Sequence, residues 1–291
     1  MTPLAFPGVH CVLFALFDDA GRLNRRAMAA QSAYVRDVGA DGIVVLGLAT
    51  EVGKLTFEER CQITHWARED APALPLGVTI TGNSVAEQLA LIAVAEEVGA
   101  DWLILQPPLG GSYGAAEYVN FFAEVGQSAH LPFAIQNAPQ YLGRSLSGDD
   151  IAALQARCPS FTMIKSETGP VDLAALVSRQ GTTLTVMNGR GGMEMTDCLR
   201  AGCQGFIVAP DVLPGVRRCW DAWQAADHVG AETAYAAFLP AAIFGMQSLE
   251  TLACYGKRVF GLRAGIEIHD RAPAMRPDAF GLEMAARWAM A

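Results

Sequence analysis

A short apolar run rich in β-branched residues returns about every 30 residues along this chain, each time followed by a longer stretch of helical character. The runs occupy residues 10–17, 42–48, 74–80, 102–108, 132–138, 161–167, 183–189 and 205–211. They are nearly continuous in Val, Ile, Leu and Phe rather than alternating with polar residues, which is the pattern of strands buried on both faces. Helix-ending glycines feed several of them, as in Val38-Gly39-Ala40-Asp41-Gly42, Val98-Gly99-Ala100-Asp101-Trp102 and Ala201-Gly202-Cys203-Gln204-Gly205. The intervening segments 24–38, 56–70, 84–98, 116–129 and 147–157 fit helices. The second of these opens with the capping-box pattern Thr56-Phe57-Glu58-Glu59.

Eight such strand and helix units specify an α/β fold, a (β/α)8 TIM barrel. A doubly wound open sheet would also alternate strand and helix, but it usually places Gly-x-Gly-x-x-Gly after its first strand. Here Phe17-Asp18-Asp19-Ala20-Gly21-Arg22 follows instead. About eighty residues remain after Asp211, helical in pattern through Met284 and more than one barrel helix needs. Residues 1–212 therefore read as the barrel, and residues 213–291 as its last helix plus a C-terminal helical extension.

Composition agrees and narrows the function. Charged residues make up 18% of the chain, against about 25% in ordinary domains, as expected where many strands are covered on both faces. A net charge of −9 with no dense basic run denies nucleic-acid binding its main electrostatic term. No apolar run approaches the roughly 18 residues of a membrane span, and Met1-Thr2-Pro3 opens no basic, signal-like segment. Seven scattered cysteines without a CxxC motif suit reduced thiols, so a cytoplasmic location is expected.

In such barrels chemistry sits at the C-terminal ends of the strands. The polar residues there are Asp18, Thr50, Glu51, Thr79, Thr81, Gln106, Gln136, Asn137, Lys165, Glu167, Asn188, Arg190 and Asp211. The chain has three lysines, Lys54, Lys165 and Lys257, and only Lys165 lies inside an apolar run, Phe161-Thr162-Met163-Ile164-Lys165-Ser166-Glu167. An ammonium in an apolar barrel mouth is desolvated, which favours the neutral amine that attacks a carbonyl to form a Schiff base. The alternative is a structural ion pair. Glu167, two residues on, shares the face of Lys165 and could move a substrate proton, or could serve only as its ion partner. None of the five histidines ends a strand, so no metal site is expected. Asn188-Gly189-Arg190-Gly191-Gly192 could cradle a phosphate, or be an ordinary glycine-rich loop.

Several blocks together resemble the dihydrodipicolinate synthase and N-acetylneuraminate lyase family. They are Gly47-Leu48-Ala49-Thr50-Glu51 with Leu55-Thr56-Phe57-Glu58-Glu59-Arg60, then Gln106-Pro107-Pro108, Gln136-Asn137-Ala138-Pro139 with Gly143, and Ile164-Lys165. The resemblance implies a barrel with a helical extension, a homotetramer or homodimer, and an imine between Lys165 and a 2-oxo acid, with no other cofactor. It also implies that the loop at Ala49 and Thr50 seats the substrate carboxylate. Gly189 and Arg190 are further candidates for substrate contact.

The chain departs from members that run the synthase reaction. Gln136 stands in place of a tyrosine, Leu48 in place of a hydroxyl residue, a second tyrosine near Leu109 is missing, and Tyr141 stands where those members have an arginine. A glutamine cannot exchange a proton at neutral pH as a phenol can. Gln136-Asn137-Ala138-Pro139 with Lys165-Ser166-Glu167-Thr168 is similar instead to the branch containing L-2-keto-3-deoxyarabonate dehydratase. That branch implies dehydration of a 2-keto-3-deoxy sugar acid, with Lys165 as nucleophile, Glu167 as acid and base, and Gln136 bonding the substrate. A pyruvate-dependent aldolase or a cyclic imino acid deaminase could use the same lysine. A non-catalytic ligand-sensing barrel is the rival from another class.

Overall fold

The computed structural model describes residues 6–180 and 183–290; the opening Met1-Thr2-Pro3 lies outside them. Eight strands form a closed, all-parallel barrel in sequence order: β1 (Gly8–Val12), β2 (Gly42–Val45), β3 (Leu76–Ile80), β4 (Trp102–Leu105), β5 (Phe133–Asn137), β6 (Phe161–Ser166), β7 (Thr185–Asn188) and β8 (Gly205–Val208). β8 closes on β1 with Gly8 opposite Gly205 and Cys11 opposite Val208. Apart from Thr162, every strand residue is buried, which is why the runs read as apolar throughout. The fold expected from the repeat, a TIM barrel with C-terminal helices, is the one observed.

Local chemistry sets the helix ends. Arg25–Val38 is capped by the Asn24 side chain, which accepts from the Ala27 N–H, and ends at Gly39 in the left-handed region. Phe57–Asp70 starts with the reciprocal box of Thr56 and Glu59, as its sequence indicated. Helices that the sequence pattern does not mark lie at Pro139–Leu142, Pro170–Gln180 and Met195–Arg200. Leu213–Gln224 is followed by His228–Gly245, Leu249–Thr251, a π-helical turn Leu252–Gly256, Lys257–Ala264 and Ala279–Ala289. No single helix among the described residues is long and apolar enough to cross a membrane.

Some strands stop short of their apolar runs because the residues beyond the strand end are buried without continuing the parallel ladder, as where Phe17 makes only isolated bridges to Leu23 and His269. Leu13 to Phe17, after β1, are all buried under the extension. Lys257, 1% exposed, donates to the Ala15 carbonyl at 2.8 Å, lies over the Phe14 and Phe17 rings, and pairs with Glu51 in the loop after β2. The other oxygen of Glu51 takes Lys54. Arg271 forks onto Glu59 at 2.5 and 2.7 Å and donates to the Gly21 carbonyl. These contacts tie the extension to the mouth loops, so the extension forms part of the wall around the strand ends.

Asp211, just beyond β8, sits at this junction. It is 3% exposed, and its Oδ1 finds no hydrogen-bond partner among the described residues. A Cβ on Gly245 or Gly256 would come within 3.2 or 3.1 Å of its Oδ2, so two glycines let the extension close on it. Burial raises its pKa to about 6 from 3.8, opposed by backbone N–H groups and Arg263. A carboxyl raised in the folded state favours folding fully below about pH 4 and loses that contribution as pH rises through 6. The shift corresponds to roughly 3 kcal/mol. Thermal unfolding between pH 4 and pH 7 should show wild-type stability falling with pH, and Asp211→Asn flattening the curve; parallel curves would contradict this.

Candidate active site

β5 and β6 pair with Gln136 opposite Lys165 and Asn137 opposite Ser166. Residues in register on neighbouring parallel strands project to the same side, and Glu167 follows Lys165 by one period of the pleat. Three functional side chains thereby converge. Lys165 Nζ is 3.5 Å from Glu167 Oε1, and Glu167 Oε2 accepts from Gln136 Nε2 at 2.6 Å. Gln136 Oε1 in turn accepts from Gln106 Nε2 at 2.6 Å. All four residues are buried. In a dry site these contacts are electrostatically stronger than in water, and the ion pair at 3.5 Å is loose enough to leave the amine room to react.

Lys165 and Glu167 open onto a cavity of about 40 Å³, with Leu48, Ala49, Tyr141, Arg190 and Asp211 among its walls. That is room for about three water-sized groups, the size of the reacting end of a 2-oxo acid. A larger cavity of about 1050 Å³ lies beyond, between the loops after β2, β3 and β4 and the extension; the two share Leu48 and Leu249. The smaller cavity is the candidate active site because Lys165, the nucleophile expected from the sequence, lines it. The larger one offers space for the rest of a longer substrate. Lys257, the other fully buried lysine, lines neither cavity and is held by Glu51 and Ala15.

The remaining expected residues take different places. Ala49 lines the small cavity, whereas Thr50 is fully buried and its hydroxyl donates to the Leu13 carbonyl at 2.6 Å. The Thr50 N–H is likewise taken by Gly47 O in the 3-10 turn Leu48–Thr50. Such a turn leaves the N–H groups of Leu48 and Ala49 outside its own hydrogen bonds, and these are the donors the loop can offer. Arg190 lines the cavity, but its guanidinium is held by Glu194 at 2.8 and 3.1 Å and by Gln140, so it is no free anion receptor. Gly191 and Gly192 make space for Met246, Val216 and Phe238, which supports an ordinary packed loop over a phosphate cradle.

Gly189 serves Glu167: a Cβ there would sit 2.4 Å from Glu167 Oε1. Tyr141, noted in the sequence only as a departure, joins the cavity wall. Burial, and then the charge of Glu167, push its phenol pKa up, with Arg190 opposing, so it remains a protonated donor. Gln106 was visible at a strand end, but its link to Gln136 depends on the barrel bringing β4 beside β5.

Residues 5–238 match the model of the dihydrodipicolinate synthetase family. L-2-keto-3-deoxyarabonate dehydratase from Azospirillum brasilense is 26% identical over 240 residues, 80% of this chain and 77% of the relative. The 4-hydroxy-tetrahydrodipicolinate synthase of Aquifex aeolicus is 27% identical over 212 residues, 72% of this chain and 71% of the relative. A putative dihydrodipicolinate synthetase from Pseudomonas aeruginosa superposes with a TM-score of 0.91 at 19% identity, covering 98% of this chain and 99% of that one. A prophage protein of the dihydrodipicolinic acid synthase family from E. coli K12, solved in complex with pyruvate, gives 0.89 at 21% identity, covering 98% and 97%.

The geometry makes Gly189 testable. Gly189→Ala should drive the Glu167 carboxylate away from Lys165 and lower turnover on the order of 10²-fold, the cost of a misplacement of about 1 Å. Unchanged turnover in a protein with an unchanged circular dichroism spectrum would contradict this placement.

Proposed function

This chain belongs to the dihydrodipicolinate synthetase family and is a lyase of that family, and on that footing we propose that it dehydrates a 2-keto-3-deoxy sugar acid through an imine on Lys165, with no further cofactor. The observation that carries the reading is the carboxylate of Glu167, fixed at one oxygen by Gln136 and set 3.5 Å from Lys165 Nζ at the other. A base held beside the imine nitrogen is placed to take a proton from the carbon next to the former carbonyl.

Lys165 Nζ attacks C2, and the carbonyl oxygen leaves as water to give the protonated imine. Glu167 takes a proton from C3, and the C–H electrons run into the imine nitrogen as an enamine. Their return expels the C4 hydroxyl, which leaves with a proton as water; the unsaturated imine then tautomerises, the C5 carbinol giving up its C–H and O–H protons while C3 and C4 each gain one, and hydrolysis frees Lys165 and a dioxo or semialdehyde acid. The net change is loss of one water. Gln136 keeps Glu167 oriented, and the substrate carboxylate sits at the Leu48 and Ala49 N–H groups. The protonated phenol of Tyr141, on the wall of the same cavity, is the group in reach of a departing hydroxyl.

Elimination is supported over aldol chemistry by Gln136 and Leu48, which leave the synthase proton relay without its hydroxyls. The relative named as a dehydratase is about as similar as those named as synthases, so the weight rests on the site. As a member of its family the chain is proposed to be a homodimer or homotetramer.

Products formed from a panel of 2-keto-3-deoxy sugar acids test the reading by NMR. A dioxo or semialdehyde acid is expected; release of pyruvate instead would overturn dehydration. Lys165→Ala should abolish turnover, on the order of 10³-fold or more, and Tyr141→Phe should lower kcat about tenfold or more through the lost donor.

A further inference from the structure

We propose that Gln106 is a positioning residue: it holds the Gln136 amide with its NH2 turned toward Glu167 and so fixes the carboxylate that works beside Lys165. The inference rests on the lyase reading and assigns a role the reading does not need. An ionised carboxylate only accepts hydrogen bonds, so Gln136 must present its NH2 to Glu167 Oε2, as it does at 2.6 Å. Its carbonyl then points the other way and requires a donor, and Gln106 Nε2 supplies it at 2.6 Å. Each link dictates the direction of the next.

Gln106 is itself held. Its backbone N–H donates to Ile80 O at 3.0 Å, and its carbonyl accepts from Gln88 Nε2 at 2.8 Å, with Gln88 rising from the helix Val85–Val98 and also donating to Gly82 O. Gln106 lies on the wall of the larger cavity yet is only 1% exposed, so little of its amide meets solvent. Without it, rotating the Gln136 amide by half a turn exchanges oxygen for nitrogen at almost no steric cost. The flipped amide would set oxygen against carboxylate oxygen, and Glu167 would lose the contact that aims its second oxygen at Lys165. The other charged or titratable groups around Glu167 are Lys165 on β6, Tyr141 on the helix Pro139–Leu142, Arg190 with its partner Glu194 after β7, and Asp211 across the cavity. Charge from these groups persists when Gln106 is replaced, so the effect of the amide is separable.

Pyruvate in deuterated water is the probe. An imine on Lys165 with a working base exchanges the pyruvate methyl protons for deuterium, read by NMR, and borohydride trapping followed by mass measurement reports imine formation by itself. Gln106→Met and Gln106→Leu, neither of which adds a charge, should both form the trapped adduct at the wild-type half-saturating pyruvate concentration. Both should exchange about tenfold to hundredfold more slowly, the cost of one hydrogen bond to a charged group. In a Glu167→Gln background the same replacements should cause no further loss, because Gln106 acts only through Glu167. Exchange at the wild-type rate in the folded variants, or an equal loss in both backgrounds, would overturn the proposal. Absence of any adduct on wild-type Lys165 would instead overturn the lyase reading, and the proposal with it.

Discussion

The register of β5 against β6 is the constraint on which the site depends. It sets Gln136 beside Lys165, and the pleat then brings Glu167 to the same face. A slip of β6 by one residue would turn Lys165 and Glu167 to the other face of the barrel wall, away from Gln136. Around this contact the rest of the mouth is arranged by exclusion. Gly189 has no side chain because the Glu167 carboxylate fills the space, and the Glu194 carboxylate engages Arg190 so that it does not draw Glu167 away from Lys165.

Burial of charge at the mouth follows one rule with two outcomes. Lys257 and Lys54 are both spent on Glu51, where they fasten the extension and the loop after β2, and Lys257 is enclosed by Phe14 and Phe17. Lys165 faces a cavity and a single, longer ion pair. The same residue type is structural in one place and available for chemistry in the other, and the difference is access. Asp211 is a third case, a buried carboxyl whose side chain has no cation bound to it among the described residues, and burial raises its pKa to about 6.

Much of the fold was legible because its information is local and periodic. Apolar runs marked the strands, Gly39 and Gly99 marked helix ends, and Thr56 with Glu59 marked a helix start. The short helices Pro139–Leu142 and Met195–Arg200 carry too few residues to show a period. In the site, scarcity of lysine and strand spacing singled out Lys165 and Glu167, while Gln136 came forward only through the family resemblance of its block. Thr50 and Gly189 were named as substrate contacts, but the places they take depend on Leu13 and Glu167, which are distant in sequence. The Gln106 contact and the engagement of Lys257 by Glu51 likewise span 30 and 206 positions, and no local pattern records them.

The proposed chemistry stands or falls with Lys165 as the nucleophile. Borohydride reduction of the protein in the presence of pyruvate, followed by peptide mapping, tests it most directly. One stable adduct per chain is expected, on the peptide carrying Lys165, with Lys54 and Lys257 unmodified. An adduct on Lys257, or none on a folded protein, would contradict it.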